Sequence, residues 1–180
     1  NGDMKIAKKL IDIAKVAGCD VVKFQKRNPD VCVPEHQKSV MRDTPWGRMT
    51  YLEYKYKVEF DKNDYNEIDS YCKSRKIKWT ASPWDLDSLD FLNQYDVPFI
   101  KIPSALLTDL ELIKKTTETG KKIIISTGMS TIDEVDSAVE TIKKVNIDAN
   151  YAVLHCNSSY PAPNNELNLK CIRTLKSRYN

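Results

Sequence analysis

Phe99-Ile100-Lys101-Ile102-Pro103-Ser104 is a short apolar run that closes on polar groups and is followed by a segment long enough for a helix. Four other stretches repeat the arrangement: Val21-Val22-Lys23-Phe24-Gln25, Ile77-Lys78-Trp79-Thr80-Ala81-Ser82, Ile123-Ile124-Ile125-Ser126-Thr127 and Ala152-Val153-Leu154-His155-Cys156. Parallel strands covered on both faces read as near-continuous apolar runs. In (β/α) barrels the chemistry gathers at the carboxyl ends of the strands. Here those ends carry lysine, serine, threonine or histidine. The repetition predicts an enzyme site assembled from several strand ends and suited to a small anion.

Working outward from these runs, Asp3 caps a helix reaching about Ala17, with the apolar pattern Ile6, Leu10, Ile13, Ala14, Ala17 and Gly18 as its stop. Further helices are predicted over 63–75, 85–95, 109–118, 131–144 and 167–178. Between Lys26 and Asp61 the pattern breaks, with Pro29, Pro34 and Pro45, and a short helix at Thr50–Glu59 in an excursion above the sheet. Strict alternation of strand and helix predicts a parallel α/β fold. Closure into a barrel does not follow from the pattern alone. The expected arrangement is part of a (β/α)8 TIM barrel, strands 2 to 6 with helices 1 to 6. The chain opens on a helix pattern and stops as a sixth helix ends, so residues 1–180 read as the central part of a larger catalytic barrel domain. An incomplete barrel would leave the edges of strands 21–25 and 151–156 unpaired, and the segment alone is expected to be marginally stable and inactive.

Composition narrows the class. The chain has 28 Lys and Arg against 25 Asp and Glu, a net charge of +3 with both signs interspersed, which gives no footprint for nucleic acid. No apolar stretch approaches a membrane span. The five cysteines, at 19, 32, 72, 156 and 171, form no CxxC pair and suggest neither a zinc site nor a redox motif. Their odd number and the absence of a signal peptide point to a reducing, cytoplasmic setting.

Lys23 and Gln25 share one face of their strand, because side chains alternate with period two. A lysine inside an apolar strand is costly to bury unless it meets an anion; the alternative is an ammonium that snorkels to water. Lys101 stands in the same context. Two such lysines on one rim would clamp a phosphate or carboxylate. Ser104, Ser126 and Thr127 fit either a ligand role or a turn. In Thr127-Gly128-Met129-Ser130-Thr131, Gly128 permits close backbone approach, and Ser130 or Thr131 caps the next helix, whose N-terminus favours anions. His155 reads as a metal ligand, a general base or a hydrogen-bonded interior histidine. Phe24, Trp84 and Tyr160 wall a pocket or fill a rim. Glu53 reads as a solvated helix charge, and Asp85 and Asp109 as helix caps.

Val22-Lys23-Phe24-Gln25, Lys101-Ile102-Pro103-Ser104, Ser126-Thr127-Gly128-Met129 and Leu154-His155-Cys156-Asn157-Ser158-Ser159-Tyr160-Pro161 together resemble the sialic acid synthase family. Asn1-Gly2-Asp3 and Thr44-Pro45-Trp46-Gly47 do so too. Legionaminic and pseudaminic acid synthases and spore coat polysaccharide relatives share the pattern. The resemblance implies a phosphoenolpyruvate-dependent transferase that forms a carbon–carbon bond to an N-acetylated hexose such as N-acetylmannosamine. By the same resemblance Lys23 and Lys101 bind phosphoenolpyruvate, as do Ser82, Ser104, Ser126 and Ser158, while Gln25 and Tyr160 lie near the amino sugar. The chain departs from some members at Leu106, where they carry a glutamate. The family's divalent metal (Mn or Mg) would be held by a first-strand glutamate and two later histidines, none in this segment, and its C-terminal antifreeze-like domain is absent from it. A cytoplasmic homodimer is implied for the whole protein. The rival readings are a Schiff-base aldolase using Lys101 and a non-catalytic fragment.

Overall fold

The computed structural model describes residues 2–179. They form two compact units that divide between Leu92 and Asn93.

In the first unit the Asp3 carboxylate accepts the Ile6 N–H at 3.0 Å and starts α1 (Met4–Val16). The helix, foreseen from Asp3 to about Ala17, buries Ala7 and Ile11 and leaves Ile6, Leu10 and Ile13 exposed. Strand β1 (Val21–Lys26) follows. The stretch read as irregular contains two short helices, α2 (Pro29–Cys32) and α3 (Glu35–Lys38), and a hairpin of β2 (Met41–Thr44) and β3 (Gly47–Thr50). The hairpin turns at Pro45-Trp46. Thr44 Oγ1 accepts the Trp46 N–H at 3.2 Å and donates to Gly47 O at 2.7 Å, and Gly47 takes a φ of 100°, which glycine adopts without a Cβ clash.

Helix α4 (Tyr51–Val58) opens with a capping box in which Thr50 Oγ1 accepts the Glu53 N–H and Glu53 returns to the Thr50 N–H at 2.8 Å. Glu53 is therefore a cap partner and not a free surface charge. Helix α5 (Lys62–Ser74) leads into β4 (Lys78–Pro83), which lies parallel to β1 with Lys23 opposite Thr80 and Gln25 opposite Ser82. One face of this pair is aromatic. Tyr65 of α5 is fully buried with its ring 5.5 Å from Trp79, 6.3 Å from Phe24 and 5.2 Å from Phe91. Its hydroxyl donates to Gln25 O at 2.9 Å. With that face filled by rings, Lys23 and Gln25 project from the opposite one. Helix α6 (Leu86–Asn93) begins where Asp85 accepts the Ser88 N–H at 2.7 Å.

The second unit holds a parallel sheet in the order β5 (Ile100–Ile102), β6 (Ile123–Ser126), β7 (Tyr151–Leu154). Ile100, Ile102, Ile123 and Ile125 are fully buried, as are Leu112 and Ile113 of α7 (Leu110–Glu118) and Ala138 and Ile142 of α8 (Ile132–Val145). Asp109 caps α7, and Thr131, paired with Glu134, caps α8. The strands are shorter than their apolar runs: β5 starts two residues after Pro98, which has no N–H for the ladder. The last helix, α9 (Cys171–Tyr179), also starts later than its sequence pattern. A 3-10 turn at Asn164–Glu166 precedes that pattern, and a left-handed Asn168 (φ 46°) falls among its first residues. Arg178 and Tyr179 both bind the Asp136 carboxylate, at 2.7 and 2.9 Å, and tie α9 to α8.

All five strands foreseen are present, and each neighbouring pair among them is parallel. The only antiparallel pair among the described residues is the unforeseen hairpin, and no closed barrel is formed.

Candidate active site

Each unit gathers polar groups at the carboxyl ends of its strands. In the second unit Lys101 projects from the middle of β5 on the face it shares with Ser126. Its ammonium donates to Ser126 Oγ and, at 3.0 Å, to Ile102 O. Cys156 Sγ also reaches Ser126 Oγ, at 3.3 Å. With two donors on its oxygen, Ser126 keeps its own O–H to give to a ligand. Just beyond, the Gly128 N–H donates to Ser104 Oγ at 3.1 Å, which likewise leaves the Ser104 O–H as a donor. A side chain at Gly128 would have to push neighbouring hydroxyls aside. A Cβ would stand 2.6 Å from Ser158 Oγ and 3.0 Å from Ser104 Oγ. Lys101, Ser104, Ser126 and Ser158 are thus one cluster, a lysine ringed by hydroxyls around a bare backbone.

In the first unit the β1–β4 register sets Lys23, Gln25, Thr80 and Ser82 on one face. Ser82 is 1% exposed, and its hydroxyl has no hydrogen-bond partner among the described residues. A buried hydroxyl left so is uncommon and marks a group that a ligand or water would satisfy. Lys23 is exposed at its surface, yet partial burial of its ammonium and, next, the positive charge of Arg27 hold its pKa below the usual lysine range. Gln25 accepts from the Arg27 guanidinium through Oε1.

Arg27 itself stacks over the Trp84 ring at 4.6 Å. Its backbone N–H donates to Glu59 at 3.0 Å, and Lys26 Nζ reaches the same carboxylate at 3.4 Å. Desolvation pushes the Glu59 pKa up, against the pull of the Arg27 amide and the two cations. Sequence reasoning passed over Glu59 and Arg27, since an acidic residue at a helix end beside basic neighbours looks like ordinary surface. Cys156 lay within a motif already singled out, but its part in holding Ser126 had no sequence signal.

Two sequence candidates fall outside these clusters. Tyr160 is 95% exposed and takes no part in the hydroxyl cradle. His155 commits Nε2 to Leu167 O at 2.7 Å, the hydrogen-bonded role among the three left open. Among the described residues no three His, Cys, Asp or Glu side chains gather to hold a metal, and no helix is long and apolar enough to cross a membrane.

Comparison with known proteins gives this geometry its context. The N,N'-diacetyllegionaminic acid synthase of Campylobacter jejuni is 37% identical over 182 residues, which cover 99% of this chain and 54% of that protein. The N-acetylneuraminate-9-phosphate synthase of Drosophila melanogaster is 37% identical over 180 residues, covering 99% of this chain and 48% of its own length. The chain thus spans about half the length of the curated relatives it matches. Among solved structures, the N-acetylneuraminic acid (sialic acid) synthetase of Leptospira borgpetersenii, crystallised in complex with citrate, superimposes with a TM-score of 0.86 at 28% identity, over 99% of this chain and 57% of that one. Residues 10–180 match the NeuB family, and this chain is a member of it, related to the synthases of sialic, legionaminic and pseudaminic acids.

Proposed function

We propose that the complete protein condenses phosphoenolpyruvate with an N-acetylated amino sugar to give a nonulosonic, sialic-type acid and inorganic phosphate. Carbon 3 of phosphoenolpyruvate bonds to the aldehyde carbon of the open-chain sugar, water adds at carbon 2, and the carbon–oxygen bond to phosphate breaks. The observation that carries this reading is the Lys101 cradle, in which Ser126 and Ser104 each accept a donor and keep an O–H for a ligand. Such a site supplies what a small polyanion needs: a cation and fixed hydroxyl donors on a preorganised backbone. The citrate in the Leptospira relative, a carboxylate-rich anion, is in keeping with it.

We assign Lys23, Ser82 and Ser158 to phosphoenolpyruvate as well. Gln25 and Tyr160 serve the amino sugar. The α/β fold is read as part of a (β/α)8 barrel of a cytoplasmic, homodimeric enzyme. A divalent metal, when bound, polarises the sugar aldehyde. The described residues offer no three-ligand cluster for one, and no step assigned here runs through it.

The test is phosphate release by the complete protein with phosphoenolpyruvate and N-acetylmannosamine or its relatives. Release that requires both substrates, matched by an equal yield of sugar acid, is expected; no release with any N-acetylated hexosamine contradicts the reading. Borohydride with pyruvate should leave the protein mass unchanged, whereas an adduct on Lys101 would replace this reading with the aldolase.

A further inference from the structure

Helix α4 and strand β1 line one cavity, and α4 contributes Lys55 to its wall. Lys23, Gln25, Arg27, Tyr54, Lys55 and Glu59 line this cavity of about 360 Å³. Three cations line it with a single carboxylate, and that carboxylate is already committed. Glu59, with its side chain 9% exposed, lies 3.4 Å from Lys26 Nζ and 3.8 Å from the Arg27 guanidinium. Among the described residues neither Lys23 nor Lys55 forms an ion pair.

Lys55 is held in another way. Its ammonium sits 4.8 Å from the centre of the Tyr51 ring and 5.7 Å from that of Tyr54. A ring face steadies a cation without consuming its N–H donors. Arg27 is steadied likewise by Trp84. Like charges gathered in a partly dry space disfavour one another, and the depressed Lys23 pKa records part of that cost. An anion in the cavity would relieve it.

We propose that this cavity is a phosphate subsite, in which Lys55 and Arg27 join Lys23 around the phosphate of a substrate. The proposal rests on the reading of Lys23 and Gln25 as substrate contacts and extends it to the excursion. Two substrates could bring the phosphate: an amino sugar that is itself phosphorylated, or phosphoenolpyruvate.

The direct test is calorimetric titration of the complete protein with inorganic phosphate, comparing wild type, Lys55→Met and Lys55→Arg. Methionine keeps the length of the stem and the helix propensity but removes the charge. Lys55→Met is expected to weaken phosphate binding about tenfold or more, as loss of a charged hydrogen bond does, with Lys55→Arg close to wild type. Lys55→Gln should show the same loss and covers the case in which methionine disturbs the fold. Unchanged phosphate affinity in a neutral variant that melts like wild type overturns the proposal.

Steady-state kinetics then separates the sources. A higher KM for N-acetylmannosamine 6-phosphate, with that for the unphosphorylated sugar unmoved, assigns the subsite to the acceptor. A higher KM for phosphoenolpyruvate assigns it to that substrate, and no change in any of the three overturns it. The phosphate titration does not depend on turnover. A protein without condensation activity but with Lys55-dependent phosphate binding would refute the proposed function and leave the subsite standing.

Discussion

Lys23 and Lys101 occupy similar places, each inside a short parallel strand and each on the polar face, yet their surroundings differ. Lys101 stands between two fully buried isoleucines, and its ammonium is already tied to Ser126 and to Ile102 O. Lys23 is exposed at its surface, and partial burial of its ammonium and, next, the positive charge of Arg27 hold its pKa below the usual lysine range. One lysine is fixed before a ligand arrives; the other waits for a counter-charge. A preorganised group contributes to the reacting geometry, whereas a mobile one contributes mainly to capture. Under the proposed function, Lys101 would serve the reacting geometry and Lys23 the capture of the anion.

That distinction breaks first in the lysine variants of the complete protein. Removing one partner of a desolvated charge pair costs about 3–5 kcal/mol, so Lys101→Ala should lower kcat/KM for phosphoenolpyruvate by roughly two to four orders of magnitude. Lys101→Arg should lose only part of this, since the charge stays but the planar group does not match. Lys23→Ala should lose less and mostly through KM. Equal losses, split alike between kcat and KM, would erase the contrast.

Gly128→Ala comes next. Its φ lies outside the left-handed region, so the backbone accepts alanine, but the methyl would press on Ser158 and Ser104. Displaced hydroxyls should cost about tenfold to a hundredfold in kcat/KM, with a melting temperature close to wild type. A variant with full activity would show that the cradle need not be so tight.

Ser82→Ala sharpens the reading of the first unit. Among the described residues its buried hydroxyl has no partner, a state that costs about 1–3 kcal/mol. Alanine should leave stability in urea unchanged or raised while KM for phosphoenolpyruvate increases. A destabilised variant with an unaltered KM would make Ser82 structural.

The smallest effect is in pH dependence. A lysine with a lowered pKa loses its charge earlier as pH rises. KM for phosphoenolpyruvate should therefore climb on the alkaline side below the ordinary lysine range, and Lys23→Arg should move that limb upward. A limb unmoved by the arginine would assign the titration to another group.

The parallel strands were readable because burial on both faces leaves an uninterrupted apolar run, as in Ile123-Ile124-Ile125. The caps at Asp3, Asp109 and Thr131 were readable for a local reason: a side-chain oxygen needs only the N–H three residues on. The β2–β3 hairpin was not legible, since Met41-Arg42-Asp43-Thr44 is short, polar and exposed and buries nothing to set a period. Thr50-Tyr51-Leu52-Glu53 spells a capping box, and the pairing of Glu53 with the Thr50 N–H is legible there once the helix start is placed at Tyr51. Helix α1 showed the limit of periodicity, for its pattern names an apolar stripe but not what covers it. Within the site, Lys101 with Ser104 and Ser126 followed from strand-end position. The committed carboxylate of Glu59 and the stacked Arg27 depend on the excursion folding back onto β1, which no local signal predicts.

The most direct test of the proposed function, in which Lys23 and Lys101 each contribute to phosphoenolpyruvate binding, is equilibrium binding of that ligand to the complete protein and to Lys23→Ala and Lys101→Ala. Each variant should bind at least about tenfold more weakly than wild type, as expected for loss of a charge-assisted contact. An affinity within about threefold of wild type in either variant, the small change typical of exposed charges, would contradict it.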